Sequence, residues 1–334
     1  MVSMCEVFSR KLCVSIIVFL LGCPAVFATV NDYRSSVYVT NSLYTLTDDT
    51  TSEGYGWYQA GIDTAGHTFT VDLVPPINGP IDMNSGSIVL VHDLLLGSDA
   101  TLSNTGSIYG AGKAIFLSND LTYSGTSKTL TIADDLMING EQHSLIIGGS
   151  NSVVIASEKT LTLKNMTLSL TTSVAPFSLS SDSTLVLENV RVIWGSDTTF
   201  SAGALTISGN CSFTGTPGRV LTYTSAGSLT INGNSCLHLD HGFTLKHNYA
   251  STDNIVFTNR SSRLRMTGST LESAARTLVL QTGTLITDHH SYLKGSGESG
   301  GITLGDDTDR LYIIFLPGAT FDVNGGSVAY ANAN

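Results

Sequence analysis

Thr160–Leu170 reads T-L-T-L-K-N-M-T-L-S-L, and 24 residues later Thr184–Trp194 reads T-L-V-L-E-N-V-R-V-I-W. Leu161 and Leu163 alternate with polar residues, as in a half-buried strand. The alternation skips a beat at Lys164-Asn165 and resumes as Met166, Leu168 and Leu170, and the second stretch does the same at Glu188-Asn189. Successive side chains of a strand point to opposite faces, so an uncompensated skip would turn every later leucine to solvent. The skip is tolerable only where the chain turns a corner. Asn and Gly adopt the left-handed backbone conformation at least cost. Each stretch therefore reads as strand, Asn or Gly corner, strand, with both strands aiming apolar residues at one interior.

Related ladders are L-M-I-N-G at Leu136–Gly140, L-T-I-S-G-N at Leu205–Asn210 and L-T-I-N-G-N at Leu229–Asn234. Further on come L-R-M-T-G at Leu264–Gly268, L-V-L-Q-T-G at Leu278–Gly283 and F-D-V-N-G-G at Phe321–Gly326. The apolar anchors Ile138, Leu163, Leu187, Ile207 and Ile231 are spaced by 25, 24, 20 and 24 residues. Beyond Ile231 the period slips, with anchors at Met266 and Leu280. A unit of this size cannot bury its own apolar face, whereas stacked units bury a continuous column. The pattern predicts an all-β, single-stranded parallel β-solenoid. A leucine-rich repeat would need its Asn further from the last strand leucine and a helical turn in each repeat. A β-sandwich would lack the superperiod.

These Φ-x-Φ-x-N-Φ and Φ-x-Φ-N-G patterns resemble the right-handed parallel β-helix (pectin-lyase-like) superfamily, which includes polysaccharide-cleaving enzymes, phage tailspikes and bacterial surface proteins. The resemblance covers most of the chain after its first 28 residues and implies the fold, with a bacterial surface or adhesin-like member as the reading it favours. Phe116-Leu-Ser-Asn119 is similar to the FxxN element of chlamydial polymorphic outer-membrane proteins, in one copy and without the companion glycine motif.

The amino terminus reads as an export signal. Arg10 and Lys11 precede an apolar run, Leu12 to Leu21, that is short for a membrane span. Val26-Phe27-Ala28 fits cleavage before Thr29, while Leu20-Leu21-Gly22-Cys23 resembles a lipobox that would lipidate Cys23. Pro24 after that cysteine favours plain cleavage. The expected organisation is a signal peptide over 1–28, an amino-terminal cap and first strands over 29–84, and a solenoid of roughly ten coils over 85–334. The cap carries Tyr33, Tyr38, Tyr44, Tyr55, Trp57 and Tyr58, which would cover an open solenoid end or form an aromatic sugar platform. The expected location is secreted or at the cell envelope, with membrane contact only through a lipid on Cys23.

Charge and chemistry narrow the function further. The formal net charge is −11, or −12 once Glu6, Arg10 and Lys11 are removed with the signal. An acidic chain without a basic stripe argues against nucleic acid as a partner. Cys211 and Cys236 are the two cysteines after residue 28, and their spacing fits either a disulfide or two separate buried thiols. The densest polar stretch is C-L-H-L-D-H-G-F-T-L-K-H, Cys236–His247, where His238, His241 and His247 with Asp240 are metal-ligand types. Leu237 and Leu239 read as inward, which turns His238 and Asp240 outward on a solvated strand and makes them weak candidates. Asp288-His289-His290 falls two coils after Asp240, too far to share an ion. The Asp134-Asp135 and Asp306-Asp307 pairs and the Arg260, Arg263 and Arg265 cluster are not accompanied by the other residues that polysaccharide-cleaving β-helices use. No catalytic residue, cofactor or metal is therefore assigned. The reading is an exported, non-enzymatic surface solenoid binding glycans or surface proteins. The alternatives are a carbohydrate-active enzyme on the same fold, either lyase or glycoside hydrolase, and a component that stacks end to end.

Overall fold

The computed structural model describes residues 44–52, 61–72, 76–171, 176–251, 254–296, 299–305, 310–323 and 327–330. The expected signal peptide, Cys23, most of the aromatic cap and Asp306-Asp307 lie outside them. Among these residues every element is a strand and every pairing is parallel. Each strand pairs with its counterpart one turn away, as in Leu136↔Leu161, Leu161↔Leu185 and Leu185↔Leu205. The fold is a parallel β-solenoid.

A typical turn has three faces, for example Lys113–Leu117, Leu121–Ser124 and Thr129–Ile132. Nine consecutive turns run from Leu94 to Gly295, and a tenth follows. Stacking also reaches back before residue 85, since Tyr44 pairs with Ile62 and Ile62 with Ile81. The described part of the segment read as cap and first strands thus already carries strands of the stack. The third face consists of two ladders among the described residues. One ends at Phe177–Leu179 and the other begins at Thr198–Phe200.

The interior is built from files of stacked apolar side chains. On the first face Ile115, Ile138, Leu163, Leu187, Ile207, Ile231 and Phe257 stand over one another. On the second face the file is Leu121, Leu145, Leu168, Val192, Phe213, Leu239 and Met266. All are buried. Met266 therefore belongs to the second face, and Phe257 is the first-face residue above Ile231. The slip in the repeat was a change of face, and with Phe257 restored the period holds. Burying each such side chain contributes ~1.5–3 kcal/mol, while ordering one residue's backbone costs about 1–2 kcal/mol. A turn closes this balance only by covering its neighbours.

The corners behave as the skipped beat requires. Thr160–Leu170 and Thr184–Trp194 are continuous strands bent at Asn165 (φ 49°) and Asn189 (φ 54°). The two asparagines also stack. Asn165 Nδ2 donates to Asn139 Oδ1 at 3.4 Å, and Asn189 Nδ2 donates to Asn165 Oδ1 at 3.3 Å. One turn further on Gly209 (φ 64°) takes the corner. A Cβ there would collide with the Asn189 side-chain amide, whose Oδ1 accepts from the Asn210 N–H at 2.9 Å.

Asn189→Ala should cost about 1–2 kcal/mol, from left-handed strain and the lost ladder bond. Gly209→Ala should cost more, and less in an Asn189→Gly background, because the collision partner is then gone. Urea denaturation of the single and double variants measures this; equal costs in both backgrounds would refute the stacked corner.

Candidate functional site

The only stretch where His, Arg and Asp gather on one surface is the outer second face of Cys236–Asp240, Arg263–Thr267 and Gly283–Asp288, among the described residues. Alternation fixes what faces out. With Leu237, Leu239, Leu264, Met266 and Leu285 inward and buried, His238, Asp240, Arg263, Arg265, Ile286 and Asp288 face solvent. Register then places Ser212, His238, Arg265 and Ile286 in one file and Asp240, Thr267 and Asp288 in the next.

His238, Asp240, Arg265 and Asp288 of this surface are engaged with their neighbours, although Arg265 Nε has no hydrogen-bond partner among the described residues. His238 Nε2 is 2.8 Å from Thr267 Oγ1. Asp240 Oδ1 is 3.3 Å from His241 Nε2. Arg265 Nη2 donates to Asp288 Oδ2 at 2.7 Å, and His289 Nδ1 lies 2.9 Å from Asp288 Oδ1. The Arg265 hydrogen bond, with His289 beside it, holds the Asp288 carboxyl below its ordinary range. Burial pushes His238 down, partly opposed by Asp240. Asp240 and Asp288 stand two coils apart, ~10 Å, which is too far to share an ion. Among the described residues no three His, Cys, Asp or Glu side chains converge closely enough to hold a metal. His238, Asp240 and His241 are thus neighbours but not a chelate.

Of the two readings of Cys211 and Cys236, the geometry fits separate thiols. Both thiols are free. Register pairs Cys211 with Leu237 and Asn210 with Cys236, so the two cysteines are one position out of step and point to opposite sides of the sheet. A disulfide needs Cβ atoms that face each other ~3.8 Å apart. Cys211 is buried, with Sγ 3.3 Å from the Leu187 carbonyl, and burial pushes its thiol up to about 11. Burial also raises Cys236, against the pull of Arg263 and Arg265.

Reading the residues one by one missed the main use of the acidic groups. Asp49, Asp93, Asp120, Asp135 and Asp197 each accept a backbone N–H one turn onward, from Thr68, Ala114, Ser144, Thr160 and Val220, at 2.7–3.0 Å. These carboxylates stitch coil to coil where a ladder begins. Asp134, the other half of the first pair, binds Lys159 Nζ at 3.0 Å, and that bond lowers its carboxyl. The signal was available in the sequence as Asp standing immediately before a strand start, at Asp49, Asp93, Asp120, Asp135 and Asp197.

On the third face Lys246, Glu272 and Lys294 form an outward charge ladder, with Nζ to carboxylate distances of 2.9 and 3.4 Å. Burial would raise Glu272, but hydrogen bonds from Ser296 and Lys246 and the two ammonium charges outweigh it and hold the carboxyl low. Asp134, Asp182, Glu272 and Asp288 all move in that direction. Their contribution to stability is therefore present above about pH 4 and is lost as pH falls below it.

No helix among the described residues is long and apolar enough to cross a membrane. No known protein family matches the chain, and no curated protein or solved structure is detectably similar to it.

A chain beginning at Thr29 should keep the same mass, apart from reagent adducts, when alkylated with or without prior reduction. Cys236 should react with a thiol reagent in the native state before Cys211, and Cys211 should react only at the rate of unfolding. A two-dalton deficit relative to the reduced chain would restore the disulfide.

Proposed function

We propose that the protein is an exported, non-enzymatic β-solenoid of the cell surface, adhesin-like, and related in architecture to the pectin-lyase-like surface proteins. It binds glycans or surface proteins along a flat face. The observation that carries this reading is the division of labour among side chains. Carboxylates would have to supply acid–base chemistry on a sugar, and Asp120, Asp134, Asp135 and Asp288 are instead engaged as coil stitches and ion pairs. The outer first face by contrast presents Thr162, Val186, Thr206, Thr230 and Val256, half-buried and in register at one-coil intervals. The charges flanking this file, Lys164 and Glu188, neutralise each other at 2.9 Å. A row of short hydroxyl and methyl groups ~4.8 Å apart suits the alternating hydroxyl and C–H faces of an extended polysaccharide. The apolar run after Arg10-Lys11 supports export.

A panel of immobilised polysaccharides separates this reading from a carbohydrate-active enzyme. The expected outcome is retention on at least one polymer without release of reducing or unsaturated ends. Thr206→Arg together with Thr230→Arg should weaken retention at least tenfold while leaving the thermal midpoint within a few degrees. Product release would establish the enzymatic alternative, and retention indifferent to the double substitution would remove the first face from the proposal.

A further inference from the structure

One interior file departs from hydrocarbon. On the third face Phe200, Tyr223, His247, Ser273 and Gly295 stand over one another in successive turns. Phe200 and Tyr223 stack with ring centroids 5.3 Å apart and planes 11° apart. The Tyr223 hydroxyl donates to the Gly227 carbonyl at 2.8 Å. His247 is the next ring of the file and is 0% exposed.

The hydrogen bonds around His247 fix its protonation. Its Nδ1 is 3.0 Å from Ser273 Oγ. The Ser273 hydroxyl donates its one proton to the Arg276 carbonyl at 2.5 Å, so its oxygen accepts from the imidazole. Nδ1 therefore carries the hydrogen and Nε2 is a bare acceptor, with no hydrogen-bond partner among the described residues. A second proton would have to go on Nε2, in a fully buried interior where the Ser251 backbone is the group that favours it.

We propose that His247 is an acid-sensitive latch for the carboxy-terminal half of the solenoid: neutral, it closes the third-face aromatic file, and protonated, it loosens the coils stacked around it. Among the described residues, no compensating charge faces it from the strands of its file. On its own strand Lys246 points outward; on the strand above, Glu272 points outward and is bonded to Lys246 and Lys294. On the strand below, Tyr223 is the titratable group in the file, and burial raises its phenol, which stays neutral. Burial lowers the imidazole, and the Ser251 backbone opposes this without overcoming it.

The direction of the pH dependence follows. His247 binds its proton less readily folded than unfolded, where its pKa is about 6.5. Its contribution is complete above that value and is lost as pH falls below it, with the unfolding constant rising up to tenfold per pH unit. The carboxylates described above act only below about pH 4, so the two windows are separate. Because each turn of a solenoid touches only its neighbours, the disturbance stays local at first.

Denaturant unfolding of the purified protein at pH 7.5, 6.5 and 5.5 tests the latch, with His247→Phe and His238→Gln beside the natural chain. His247→Phe keeps a ring in the file and should remove most of the destabilisation between pH 6.5 and 5.5. His238→Gln, which removes the other histidine shifted by burial, should keep it. A natural chain that is flat over this range, or a His247→Phe variant with the full slope, overturns the proposal. Hydrogen exchange on the natural chain gives a second reading that does not depend on the variant folding. After correction for intrinsic rates, Thr244–His247 and Thr270–Ser273 should lose protection at pH 5.5 before Thr160–Leu170 does. Uniform loss, or none, counts against the latch.

Discussion

Parallel, in-register stacking of unlike segments is the constraint on which everything else in this molecule depends. Each inward side chain is covered above and below by the residue one turn away, so Leu163 is held by Ile138 and Leu187, and Val192 by Leu168 and Phe213. Because a shift of one residue would expose a whole file, the corners must deliver each strand in the same phase. Asn165, Asn189 and Gly209 do this with one left-handed residue apiece. The side-chain amides then bond to each other along the corner, so the residue chosen for its backbone also contributes to the stack.

The same geometry governs charge. Residues that face each other across coils are some 20–25 positions apart in sequence but only ~4.8 Å apart in space, and like charges at that distance would destabilise the pair. Lys164 over Glu188, and Glu272 between Lys246 and Lys294, are the arrangement this predicts. Aspartates take a second role. At the first residue of a ladder the N–H facing the preceding turn has no strand carbonyl to meet, and Asp93, Asp120 and Asp135 reach across from below to accept it. An acidic composition that looks like a solvated surface is in part a set of turn-to-turn hydrogen bonds.

How much of this was legible in the sequence depended on whether a feature was local. The strand–Asn–strand corners at Asn165 and Asn189, the outward direction of His238 and Asp240, and the first-face file from Ile138 to Ile231 followed from alternation within about ten residues. What failed was assignment between turns. Met266 was counted in one series of anchors with Ile231 because its ladder has the right local form, and only pairing shows that it covers Leu239 while Phe257 covers Ile231. Coils before residue 85 were hidden because their strands, such as Ile62–Asp63 and Ile81–Asp82, are too short to alternate visibly. The spacing of Cys211 and Cys236 left a disulfide and two separate thiols equally open. A one-position offset in register reversed the direction of one side chain and made the pairing impossible.

That offset shows why a functional site in a solenoid escapes motif reading. A motif reports residues that are close in sequence, and on a strand these lie ~6.6 Å apart at best on one face. Groups that act together are closer across coils, so a site is written as a coincidence of phase between turns, each carrying only one or two of its members. Cys236–His247 drew attention because it is dense in histidine, yet the register gives His238 to Thr267, turns His241 toward Asp240, and sends His247 into the interior to meet Ser273. Three histidines within ten residues serve three unrelated environments. The first-face file of Thr162, Val186, Thr206, Thr230 and Val256 is the converse case: no two of its members are neighbours in sequence, and stacking alone makes them one surface.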